Sequence, residues 1–156
     1  MKTKMKKDWF GREKSMEELH HDAKIWVSEI NLIEDEIRFL EHLLSEKYID
    51  FLSEGLHKKI EDSVKQLSVQ KNVGTTLLEL INSQEKILAE LIKYDSVTSN
   101  QNYFENHKKL EIEVTSYIKK YKELKQHIFK VVEKVMKKKD QKKLPEAAEI
   151  PKLLDK

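Results

Sequence analysis

Cysteine is absent, and glycine and proline are nearly so: three Gly and two Pro in 156 residues. Average usage would supply roughly 19 of the two together in a chain this long. Without cysteine there are no disulfides, thiolate metal sites or cysteine nucleophiles. With so little Gly and Pro, most β-sandwiches and barrels and the glycine-loop nucleotide folds are excluded, because their turns need those residues. No G-x-S-x-G, G-x-x-x-x-G-K-[ST] or G-x-G-x-x-G occurs, so no catalytic signature is present and the expected protein is not an enzyme. Long apolar runs are missing as well. A membrane span needs about 18 nearly uncharged residues, and charges interrupt every apolar stretch sooner. Met1 to Lys7 resembles the basic start of a signal peptide, but Asp8-Trp9-Phe10-Gly11-Arg12-Glu13-Lys14 follows where an apolar core should be. The sequence therefore predicts a cytoplasmic protein with no transmembrane segment.

What the chain does hold is charge and helical periodicity. Charged residues are 37 % and the mean hydropathy is −0.69. Leu19, Ala23, Trp26, Ile30, Ile33, Ile37, Leu40 and Leu44 alternate spacings of four and three, which keeps one apolar seam along a slightly supercoiled helix. Lys47 breaks the line and Phe51 resumes it. Ser15-Met16-Glu17-Glu18 predicts a capping box at the start, and Gly55 a left-handed stop. A second seam is read as Ile60, Val64, Leu67, Lys71, Gly74, Leu78, Ile81, Glu85, Leu88 and Ile92, with Gly74 marking either a close helix approach or a weak point. A third runs through Leu110, Val114, Tyr117, Tyr121, Leu124, Ile128, Val131 and Val135. Leu144-Pro145 is expected to end it.

The expected fold is all-α: an up-down-up antiparallel three-helix bundle with coiled-coil-like heptad packing, its helices at about 15–53, 57–95 and 101–140, each about 55–60 Å long. Residues 1–14 are expected to be a basic flexible N-terminus, 15–140 the bundle, and 141–156 a flexible C-terminal tail. Net charge differs between segments: −8 over 15–54, zero over 55–99 and +7 over 100–143. An acidic helix beside a basic one would disfavour other pairings.

His42 and Glu46, His57 and Glu61, and His107 and Glu111 are four apart; Glu17 and His20, Glu18 and His21, and Glu54 and His57 are three apart. These spacings superficially resemble those of hemerythrin-like and ferritin-like bundles, which need several ligands projecting inward at one level. The level test fails for His42, which falls near residues of about 66 and 130 on the other helices. Glu17, His20, His21 and His107 gather at one end, but His20 and His21 lie off the seam. No metal and no cofactor are therefore expected.

Apolar residues remain beyond the seams. Ile25, Leu32 and Phe39 form a second stripe on the first helix, about 100° from the Trp26–Ile33–Leu40 row. Val73, Leu80 and Ile87 form another on the second. Either these stripes close the core or they offer a surface to another helix. The reading adopted is a non-enzymatic coiled-coil protein acting through protein–protein contact or self-association, with these six residues as the interaction surface and a protein partner or second copy, such as a homodimer, as occupant. The alternatives are polyanion or membrane-surface binding through the basic ends, with nucleic acid disfavoured by a whole-chain charge of only +2, and a metal-binding bundle.

Overall fold

The computed structural model describes residues 14–94 and 101–154, with side chains at 14–94 and 102–140. The described residues are helical apart from short connections and hold four helices: α1 (Met16–Glu46), α2 (Tyr48–Ser53), α3 (His57–Lys93) and α4 (Gln101–Leu154). The expected first helix is thus two. The chain turns at Lys47, where the apolar line breaks, and Phe51 on α2 is buried with the core.

Local chemistry explains the ends. Ser15 Oγ accepts from the Glu18 amide at 3.2 Å while the Ser15 amide donates to Glu18 Oε1 at 2.7 Å, completing the capping box. After α2, Gly55 takes a φ of +72°. The Leu56 amide then donates to Phe51 O and the Gly55 amide to Leu52 O, a Schellman closure that satisfies two terminal carbonyls.

α1, α3 and α4 share one core cluster, to which α2 adds Phe51. All eight seam residues of α1 are buried. So are those predicted on α4, except Leu124, which is half-buried, and the line extends back through His107, Phe104 and Tyr103. Between α1 and α4, Asp22 meets His107 and Glu36 meets Tyr121, both 85 residues apart, and Glu36 meets Lys125, 89 apart. This near-constant offset means the two helices run in the same direction. Between α1 and α3, His20 meets Glu85 and Glu41 meets Lys71, so these two run oppositely. The acidic segment does lie against the basic helix: besides Glu36–Lys125, Glu54 approaches Lys138 at 3.8 Å and Asp50 approaches Lys139 at 3.5 Å.

Two further features differ from the sequence reading. On α3 the buried line is Ile60, Ser63, Leu67, Gln70, Gly74, Leu77, Ile81 and Leu88. Val64 and Ile92 are exposed and Leu78 only half-buried, so alternate positions of the predicted seam are off by one residue. The seam that is buried carries no charge, whereas the predicted one required Lys71 and Glu85 to be central. Desolvating an ion costs far more than burying a neutral amide or hydroxyl, and rotation of α3 leaves both ions at the flank, paired with α1.

The second difference is at the C-terminal end. α4 continues through Pro145 and Pro151 to Leu154. A proline removes one amide and crowds the preceding turn, at about 3 kcal/mol, yet its fixed φ is helical and the flanking Lys, Gln, Glu and Ala residues are strong helix formers. The basic segment predicted at 1–14 lies outside the described residues except for Lys14, which is held 2.7 Å from Asp22.

Candidate interaction surfaces

All six residues predicted to form an interaction surface are exposed: Ile25, Leu32 and Phe39 on α1, and Val73, Leu80 and Ile87 on α3. Leu32 is 58 % exposed and Phe39 59 %. Neither stripe closes the core. On α1 the Trp26–Ile33–Leu40 row takes that role, and on α3 the Gln70–Leu77 and Gly74–Ile81 rows do. Because residues seven apart return to the same side of a helix, each stripe sets three large apolar side chains in a row, about 10.5 Å apart.

The two stripes do not line one cleft. Val73 and Leu80 line a cleft of about 690 Å³ between α3 and α4, joined there by Val69, Leu77 and Ile112. None of Ile25, Leu32 and Phe39 lines it. Ile112, 62 % exposed, was missed by the sequence reading because it lies far from the α4 seam and has no apolar neighbour seven residues on.

The cleft floor is polar at two points. Gln70 and Tyr117 are each more than nine-tenths buried, and Gln70 Oε1 and Tyr117 Oη have no hydrogen-bond partner. The Tyr117 ring fits because position 74 is glycine: a Cβ there would lie 2.6 Å from Tyr117 Oη. Gly74 is therefore the site of close helix approach. Burial raises the Tyr117 hydroxyl to about 12, with a further contribution from Glu34, so it stays protonated at neutral pH. Glu113, Lys120, Thr76 and Ser116 also line the cleft.

A partly buried electrostatic cluster lies near the start of α1. His107, predicted to continue the seam, is buried against Trp26, with ring centroids 4.9 Å apart. Its Nε2 donates to Asp22 Oδ2 at 3.2 Å, and Lys14 Nζ donates to the same oxygen at 2.7 Å. Partial burial works to raise the Asp22 carboxyl, but the hydrogen bonds from His107 and Lys14 outweigh it and hold the group below its usual value. For Lys14, burial works to lower the ammonium and is outweighed by Asp22 and Glu111, leaving it raised. His20 pairs instead with Glu85 at 2.6 Å, Glu18 serves the cap, and His21 is exposed. Of the spaced pairs, His42 and Glu46 do meet, at 3.1 Å. Among the described residues, no three His, Asp or Glu side chains gather as metal ligands would, and no helix is long and apolar enough to cross a membrane. Asp22–His107 and Glu36–Tyr121 were not anticipated from sequence. Their signal is the shared offset of 85 residues, visible only once two helices are aligned.

Comparison of the chain with protein-family models, with curated proteins and with solved structures finds no match.

Proposed function

We propose that the chain folds as an up-down-up three-helix bundle with heptad packing, α2 continuing α1, and acts without catalysis, through protein–protein contact or self-association. The opposed directions of α1 and α3 and the steady α1–α4 offset support that arrangement. The observation that carries the functional reading is the exposure of both seven-spaced apolar stripes. Soluble monomers rarely leave contiguous apolar patches above a few hundred Å² wet, and larger ones mark contact sites. Helix-in-groove recognition uses anchors at such spacings.

The reading is tested with Leu32→Glu/Leu80→Glu, one charge on each stripe. Both residues are exposed, so the variant should keep wild-type helicity and unfold cooperatively, while losing self-association or the partner that co-purifies with the wild type. A wild type that is monomeric throughout and brings no partner, with a variant indistinguishable from it, would contradict the reading.

A further inference from the structure

The α3–α4 cleft places an acid and a base at matched positions beside its apolar residues. Its charged lining is one acid and one base, Glu113 and Lys120, seven apart on α4. Neither pairs with another described residue. On α3 its apolar lining includes Val73 and Leu80, also seven apart, with Val69 and Leu77 beside them. Seven helical residues span about 10.5 Å, so both pairs have the same length. Between them lie the small polar residues Ser116 and Thr76, where another backbone can come close. A two-fold axis through that midpoint, in the plane of the cleft and across the helices, sends position 113 onto 120 and position 73 onto 80. Such self-complementarity is what an isologous interface requires, because residue i must meet j while j meets i.

We propose that a second copy of this chain occupies the α3–α4 cleft, antiparallel about an axis near Thr76 and Ser116. Glu113 of each copy meets Lys120 of the other, and Val73 meets Leu80. The proposal rests on the contact reading above and names its occupant. Local charge argues for this occupant: Glu113 and Lys120 put one acid and one base at symmetric positions of the cleft, so two copies meet with opposite signs at both points. Closing cleft upon cleft sets α3 and α4 against their counterparts as a four-helix layer, a common packing for antiparallel helices.

The absence of cysteine makes the test clean. Ser116→Cys, near the axis, should form an intermolecular disulfide on mild oxidation, since bridging needs Cα atoms within about 7 Å; Leu32→Cys should not. Glu113→Lys alone and Lys120→Glu alone should each weaken the dimer about 5- to 10-fold, because each places like charges opposite at two symmetric points. The double reversal should restore it. If Leu32→Cys links and Ser116→Cys does not, the second copy sits on α1: the inference is overturned and the contact reading stands. If the double reversal is as weak as the single ones, the proposed pairing is overturned. A wild type that stays monomeric overturns the inference, and the two-stripe variant then decides the contact reading separately.

Discussion

At the residue scale, Gly74 shows how packing outweighs propensity. In an open helix, Gly to Ala gains about 1 kcal/mol. Here the added methyl would lie 2.6 Å from the Tyr117 hydroxyl and 3.2 Å from its Cζ, so the ring would have to leave its packed position. Gly74→Ala should therefore destabilise the protein by about 1–3 kcal/mol, read from the midpoint of urea unfolding. Tyr117→Phe removes a hydroxyl with no partner. It should be neutral or slightly stabilising alone and should recover much of the loss in the Gly74→Ala background; an unchanged loss would place the clash elsewhere. Asp22 makes the second residue-scale prediction. Its carboxyl is held low in the folded protein, so the stability it contributes is present above the unfolded value of 3.8 and is lost as pH falls through the lower folded value. Asp22→Asn should cost about 1–3 kcal/mol at pH 7, leaving His107 buried beside a weaker acceptor. It should also flatten the acid limb of the stability profile; a limb as steep as wild type would contradict this.

At the scale of the element, α1 was legible because its seam contains only apolar residues at every position, and α4 nearly so. α3 was legible at Ile60, Leu67, Gly74, Ile81 and Leu88 but not between them. Preferring Val64 to Ser63 for its apolar side chain sets a register that accepts Lys71 and Glu85. Excluding charge selects Gln70 over Lys71, and that register carries Ser63 and Leu77 with it, the buried set, although Leu77 and Leu78 do not differ in either respect. On a helix packed against two neighbours, both flanks are apolar, so exclusion of charge marks the core better than hydrophobicity does. Gln70→Leu should accordingly raise stability by about 1 kcal/mol, replacing a buried acceptor that has no partner, whereas Val64→Ser should change it by under about 0.5 kcal/mol. The Pro145 expectation was wrong because it weighed one local cost against nothing. Truncation after residue 143 should lower the far-ultraviolet helix signal in proportion to residues 144–154; an unaltered signal would contradict a helix running to Leu154.

At the scale of the whole molecule, the sequence left open whether the two stripes close the core or face outward, and where they point. That depended on the rotation of α3, which sets Val73 and Leu80 beside α4 and away from the α1 stripe. The electrostatic division between segments was legible from composition, and its consequence is seen in Glu36–Lys125, Glu54–Lys138 and Asp50–Lys139. Exposed pairs such as these contribute about 0.2–1 kcal/mol each, enough to bias pairing and too little to hold the fold, which rests on the shared apolar core. The central claim is that the apolar surface left outside that core is meant to be covered. Sedimentation equilibrium of the unaltered full chain from low to high micromolar concentration tests it most directly. The weight-average mass should rise from 18.6 kDa towards twice that value, and the rise should vanish in Leu32→Glu/Leu80→Glu. A mass fixed at 18.6 kDa at every concentration, for wild type and variant alike, would contradict self-association.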